Sequence, residues 1–160
     1  MSSQPKLMVV ASAGGHWVQL MRLRMAWRGL PVIYLSTEPG LADIVATVTR
    51  EDGSPPATFA SVTDANLSEK GRLLRQLFEV LLVVLRYRPD VIITTGAAPG
   101  YFALRFGKLF GARTIWIDSM ANAETLSKSG REVGKYADLW LTQWEHLARP
   151  EGPHYMGSVL

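Results

Sequence analysis

Lys6-Leu-Met-Val-Val-Ala-Ser-Ala-Gly-Gly-His-Trp-Val-Gln-Leu20 runs from an apolar segment through a glycine turn into a helical pattern. Leu7 to Ala11 is a short, unbroken apolar run, the pattern of a parallel strand buried on both faces. It breaks at Ser12-Ala13-Gly14-Gly15 and enters a helical spacing at Trp17, Leu20, Met21 and Leu23. Glycines at a strand-to-helix turn let a backbone approach a ligand closely, and the helix start behind them offers free N–H groups and a positive dipole end. His16 stands where that helix begins, so its imidazole is expected in the same crevice. Ser12, Gly14, Gly15 and His16 are therefore candidates for holding a phosphate-bearing ligand. A tight structural turn is the alternative reading of the same residues.

The units that follow repeat this one. Val32 to Ser36 reads as a second strand, Leu41 to Val48 as a short helix and Ala57 to Ser61 as an edge strand. A long helix is expected from Ser68 to about Arg88, with Leu73, Leu74, Leu77, Val80, Leu81, Val84 and Leu85 on its apolar stripe. Val91 to Thr95 reads as a strand buried on both faces, followed by the turn Gly96-Ala-Ala-Pro-Gly100 and a helix from about Tyr101 to Phe110. Arg113 to Ile117 is a further strand, ending in Asp118-Ser119. After a polar stretch come a short helix near Arg131 to Tyr136, a strand over Asp138 to Thr142, a turn or short helix at Glu145 to Ala148 and a last strand over Tyr155 to Val159. Alternating strands and helices predict an α/β, doubly wound fold with a mainly parallel sheet, a single domain over residues 1–160. In such sheets ligands bind beyond the carboxyl ends of the strands. Three strands deliver glycine-rich or polar ends there: Ser12–His16, Thr95–Gly100 and Asp118–Asn122.

Composition narrows the classes. Hydrophobic residues make up 48% and charged ones 19%, as in an ordinary folded domain. With no cysteine, disulfide and thiolate chemistry are excluded. Met1 to Lys6 lacks the layout of a signal peptide, and no apolar run reaches the ~18 residues of a spanning helix. The net charge of +3 is mildly basic, with Arg22, Arg24 and Arg28 expected on the first helix and Arg72, Arg75, Arg86 and Arg88 flanking the long one. No RNA-binding aromatic signature or zinc-ligand spacing is present, so no nucleic-acid partner is expected. No acidic pair sits at a strand end, so no metal and no cofactor are expected. A dinucleotide site would need G-x-G-x-x-G, and the turn reads Ala13-Gly-Gly-His although Glu38 ends the second strand.

Four segments in order carry a family resemblance: Ser12-Ala-Gly-Gly-His-Trp-Val-Gln-Leu20; Thr95-Gly-Ala-Ala-Pro-Gly100; Ile117-Asp-Ser119 with Leu126-Ser-x-Ser-Gly130; and Ala137-Asp-Leu-Trp-Leu-Thr-Gln-Trp144 with Gly157-Ser-Val-Leu160. Together they resemble the PssD-type bacterial polysaccharide-synthesis proteins. These are related to the membrane-recruiting subunit of the two-part UDP-N-acetylglucosamine transferase of dolichol-linked oligosaccharide assembly. The resemblance implies the N-terminal, acceptor-binding, Rossmann-like lobe of a GT-B glycosyltransferase, with the chain stopping near where a linker to a second lobe would begin. It implies a separate donor-lobe catalytic subunit as partner, a nucleotide-sugar in the shared cleft and a polyprenyl-diphosphate-linked saccharide as acceptor. By the same resemblance the chain is inactive alone and works at the cytoplasmic face of the membrane. The dolichol-pathway relatives carry an N-terminal membrane helix that this chain does not show.

The resemblance also assigns roles. Gly14 and Gly15 would face the acceptor diphosphate, and His16 would help deprotonate the acceptor hydroxyl; a hydrogen-bonded structural histidine is the alternative. Asp118 would be a base or would orient His16, with a loop-bracing aspartate as the alternative. Gly96 and Ala97 would hold further acceptor phosphate or meet the partner lobe, and Ser119, Asn122 and Glu124 are weaker candidates. Val80 to Leu85 carries more apolar residues than one packing face needs. The Leu73–Arg88 helix therefore offers a peripheral membrane contact, or else it is a core helix. Trp140, Trp144, Tyr155 and Met156 offer an aromatic partner interface, or else close the domain's own core. A scaffold that only recruits and activates the catalytic subunit is the second functional reading.

Overall fold

The computed structural model describes residues 4–159; the expectations resting on Met1 to Ser3 and on Leu160 lie outside the described residues. The elements are β1 (Leu7–Val10), α1 (Gly15–Arg22), a 3-10 turn (Arg24–Trp27), β2 (Val32–Ser36), α2 (Leu41–Glu51), β3 (Thr58–Ser61), α3 (Lys70–Tyr87) and β4 (Val91–Thr94). They continue with α4 (Ala97–Leu109), β5 (Arg113–Ile117), α5 (Lys128–Glu132), a 3-10 turn (Val133–Lys135), β6 (Leu139–Thr142), a 3-10 turn (Glu145–Leu147) and β7 (His154–Tyr155). The sheet runs β3-β2-β1-β4-β5-β6-β7 and every pairing is parallel. The chain builds outward from β1 to β3, then crosses back to place β4 on the other side of β1. Strand order therefore reverses between β1 and β4, where α/β sheets open a crevice. Their register pairs Val10 with Thr94, so the turns at residues 11–16 and 95–100 leave the sheet side by side.

Both faces of the sheet are covered, which is why its inner strands are apolar without alternation. Leu7, Val9, Val32 and Tyr34 point into one core with Trp17, Leu20 and Trp27 from α1 and its 3-10 extension, and Val45 from α2. Met8, Val10, Ile33, Leu35 and Ile92 point into the other, against Val80 and Val84 of α3, Ala103 and Leu104 of α4, and Trp116. Three expectations need correction. β4 is fully buried only at Ile92 and Thr94, while Val91 and Ile93 are half-buried. β7 is two residues long, and α1 stops at Arg22. Arg24 pairs instead with Asp52 at 3.1 Å and Arg28 donates to the Asp52 carbonyl, fastening the end of α2.

α4 begins at Ala97, a turn earlier than the glycines and proline of Gly96–Gly100 predicted. A Cβ on Gly100 would run into the Thr94 hydroxyl, so its glycine serves close packing of helix on strand. Pro99 is tolerated because the first helical turn has no N–H partner to lose.

A hydrogen-bonded pair closes the far side of the sheet. Asp138 accepts from the backbone N–H (2.9 Å) and hydroxyl (3.1 Å) of Thr114 and pairs with Lys108. The Lys108 ammonium holds its carboxyl below the usual range, against partial burial and with help from Thr114. A carboxyl depressed in the folded state stabilises it above the unfolded value of about 3.9 and stops doing so as pH falls through the folded value. Asp138→Asn is therefore expected to lower the thermal midpoint at pH 7. The gap to the parent should close below about pH 4 in melts across a pH series.

Candidate functional site

Two helices open onto the crevice without a side chain capping either N-terminus: α1 behind Gly14 and α4 behind Gly96. Gly14 (φ +83°) and Gly96 (φ +124°) adopt a backbone conformation that side chains disfavour, and Ala97 (φ +66°) follows with the strain of a non-glycine residue. Nothing lies within 4 Å of where a Cβ would sit on Gly14 or Gly15, so that turn borders open space. At Gly96 such an atom would stand 3.0 Å from Cε1 and 3.1 Å from Nδ1 of His16. The ring lies close against the second glycine turn.

Two bonds tie the turns together. His16 Nδ1 is 3.0 Å from the Thr95 carbonyl, and the Thr95 hydroxyl donates to the His16 carbonyl at 2.7 Å. A carbonyl oxygen only accepts, so Nδ1 carries the hydrogen and Nε2 of the neutral ring is its proton acceptor. Gly96→Ala would force both the left-handed turn and the ring. We expect it to cost about 1–3 kcal/mol of stability and to move the His16 ring resonances, measurable by denaturant unfolding and NMR.

A cavity of about 470 Å³ opens in front, lined by His16, Leu67, Ala97, Ser119, Asn122 and Lys128 among others. Of the predicted residues, His16, Ala97, Ser119 and Asn122 meet on its wall. Gly14 and Gly15 are exposed beside it, Gly96 is buried behind the ring, and Ser12 is half-buried outside the lining. A larger groove of about 700 Å³ lies at the opposite end of the sheet, around Lys6, Arg88, Phe110 and Arg113. The polar strand ends face the smaller cavity, which makes it the candidate site.

Asp118 makes no hydrogen bond to His16. It is 2% exposed and does not line the cavity. Its carboxylate accepts from Trp116 Nε1 (3.1 Å), the Ser127 hydroxyl (2.7 Å) and N–H (3.1 Å), and Asn122 Nδ2 (3.2 Å). Those are the bonds of an aspartate bracing the 119–130 loop, the alternative that the sequence left open.

The sequence reading missed Gln19. Its buried amide donates to the Ser119 hydroxyl (3.0 Å) and accepts from Met120 N–H (3.0 Å) and Gln143 Nε2 (2.7 Å). Gln143 in turn donates to the Asp118 carbonyl and accepts from Val159 N–H. The signal was a glutamine between Trp17 and Leu20 on the buried side of an amphipathic helix. Ser127, Lys128 and Ser129, also unpredicted, line the cavity. Of the four aromatic-interface candidates, Tyr155 and Met156 are exposed. Trp140 packs on the core, and Trp144 Nε1 donates to the Met120 carbonyl at 2.8 Å.

No protein-family model matches the chain. It is 26% identical to the UDP-N-acetylglucosamine transferase subunit ALG14 of Yarrowia lipolytica, over 91% of this chain and 76% of that one. The same subunit of Candida albicans is also 26% identical, over 89% and 72%. The chain is similar to glycosyltransferase subunits. Its fold matches the crystal structure of Acinetobacter baumannii MurG with a TM-score of 0.71 at 12% identity, covering 98% of this chain and 46% of MurG. UDP-N-acetylglucosamine 2-epimerase from Rickettsia bellii matches at 0.63 and 14% identity, over 90% and 40%. The chain thus spans less than half of either structure, and its fold is a Rossmann-like lobe of the GT-B kind.

Proposed function

We propose that this chain is the acceptor-binding lobe of a two-part glycosyltransferase of the PssD type. A separate subunit supplies the donor lobe, and the pair moves a sugar from a nucleotide-sugar to a polyprenyl-diphosphate-linked saccharide in polysaccharide synthesis. The observation that carries this reading is the His16 ring, held by Thr95 with Nε2 as its proton acceptor, beside two uncapped helix N-termini. The acceptor hydroxyl attacks the anomeric carbon, the bond to the nucleoside diphosphate breaks and takes the electron pair, and Nε2 receives the hydroxyl proton. N–H groups of the glycine turns hold the acceptor phosphates. The relatives' names make UDP-N-acetylglucosamine the first donor to try.

Membrane contact is assigned to α3. Its inner side carries the buried Gln76, Val80 and Val84, while Leu74, Phe78, Leu82 and Leu85 form an outer ridge, each 37–64% exposed. Arg72 and Arg75 are paired with Glu69 and Glu79, which leaves Arg86 and Arg88, with Lys6 and Arg113 near the helix end, to meet anionic lipid. Among the described residues no helix is long and apolar enough to cross a membrane. The proposed location is peripheral, on the cytoplasmic face.

A non-catalytic recruiting scaffold is the second reading. It is favoured by one observation: the Nδ1 partner is a backbone carbonyl, and among the described residues no carboxylate is hydrogen-bonded to the ring. Co-expression with a donor-lobe protein encoded nearby, followed by radiolabelled sugar transfer to membrane lipid, tests the reading. Activity from the pair and from neither protein alone is expected; activity from this chain alone overturns the half-enzyme reading.

A further inference from the structure

The cavity that His16 and Ala97 line is also lined by the 127–129 segment. Lys128 is the cation on the lining. It is exposed, and none of the four ion pairs among the described residues includes it. The segment is nevertheless firmly placed. Ser127 gives its N–H and hydroxyl to the buried Asp118 carboxylate, and its hydroxyl also accepts from Gly130 N–H at 2.8 Å. A Cβ on Gly130 would collide with Asp118, so the carboxylate occupies the room that a side chain would take. Arg131 donates to Thr125 and to the Leu126 carbonyl, fixing the approach to the segment. A buried carboxylate with no cationic partner is costly, and here it anchors the backbone next to one free ammonium.

We infer that Lys128 is the counter-ion of a diphosphate held in this cavity, which the first residues of α1 and α4 also line. The inference rests on the acceptor-lobe reading and adds to it a recognition residue on an element that reading does not use. A flexible ammonium is a point charge suited to a diphosphate, which carries charge on several oxygens. Ser129 and Asn122 supply neutral polar groups beside it. In a two-lobed enzyme the diphosphate has two sources, the lipid-linked acceptor and the nucleotide-sugar, and the chemistry at Lys128 is the same for both.

The test is titration calorimetry of the full chain with inorganic pyrophosphate, geranyl diphosphate and UDP-N-acetylglucosamine. Wild type is expected to bind, Lys128→Ala to bind about tenfold more weakly and Lys128→Glu more weakly still. Lys128→Arg should stay close to wild type, and the thermal midpoint should not move in any variant. Added salt should weaken wild type more than Lys128→Ala. Tighter, Lys128-dependent binding of geranyl diphosphate supports the inference with the acceptor as source; tighter, Lys128-dependent binding of the nucleotide-sugar supports it with the donor as source. Undiminished binding by Lys128→Glu overturns the inference and leaves the acceptor-lobe reading standing. No binding of any diphosphate by wild type overturns the inference too, and the two-subunit transfer assay then decides separately whether the lobe reading survives.

Discussion

His16→Ala should lower sugar transfer by the reconstituted pair about 10²–10⁴-fold, the usual contribution of a positioned acid or base, while the complex still forms. The expectation follows from how little else the ring does. The side chain is half-buried and makes one hydrogen bond, to the Thr95 carbonyl; the bond from the Thr95 hydroxyl goes to the His16 backbone and survives truncation. Losing a partly exposed hydrogen bond costs about 0.5–1.5 kcal/mol, too little to unfold a domain of ordinary stability. His16→Asn sharpens the experiment. Its amide can donate to the Thr95 carbonyl as Nδ1–H does, yet it has no basic nitrogen in place of Nε2. Asparagine should therefore be as inactive as alanine if the ring takes a proton. Recovery of turnover in His16→Asn would mean that the ring only ties the two turns together, and persistent turnover in both variants would make the domain a docking module. Pull-down of the donor-lobe subunit by each variant separates these cases from loss of the complex.

How much of this was legible in the sequence depends on the range of the interactions involved. The two glycine turns were readable because positive φ and open helix starts are local, and Gly14 and Gly96 adopt them. The apolar runs Leu7–Ala11 and Val32–Ser36 were readable because burial on both faces leaves no alternation. α3 was half-readable: the surplus of apolar residues was visible, but which of them face the sheet depends on how the helix is rotated against α4. Asp118 was the least legible. Its position at a strand end suggested a partner for His16, yet the groups it bonds come from Trp116 two residues back and from Ser127 nine residues ahead. Nothing in the local pattern of Ile117-Asp-Ser119 shows that the chain will double back. Leu126-Ser-Lys-Ser-Gly130 carries the complementary signal in retrospect: a serine that caps α5 and a glycine against which the carboxylate packs. Gln19 was missed for the same reason, since its partners lie 100 or more residues away.

Asp118→Asn is the variant that separates bracing from base catalysis, and its expected effect is on stability. The carboxylate accepts at both oxygens: Trp116 Nε1 and the Ser127 hydroxyl at one, Ser127 N–H and Asn122 Nδ2 at the other. An asparagine in the same rotamer can satisfy one pair with its oxygen but turns an NH₂ toward the other, setting it against an N–H that can only donate, Ser127 N–H in one orientation and Trp116 Nε1 in the other. Flipping the amide only exchanges which pair is left facing it. Leaving buried donors unsatisfied costs about 1–3 kcal/mol each, so we expect a loss of about 2–4 kcal/mol and a thermal midpoint lower by roughly 5–15 °C. Turnover per folded molecule should fall far less than in His16→Ala, because no contact links the carboxylate to the ring. The residual fall should appear as weaker acceptor binding, since the brace positions Asn122 and Lys128 rather than the reacting oxygen. The opposite result, an unchanged midpoint with turnover as low as in His16→Ala, would make Asp118 the proton acceptor and require the 119–130 loop to open during the reaction. Gly130→Ala provides the cross-check from the other side of the same contact. Its Cβ would press on the Asp118 and Ser127 oxygens, so it should reproduce the loss of stability while leaving the Asp118 carboxylate itself in the protein.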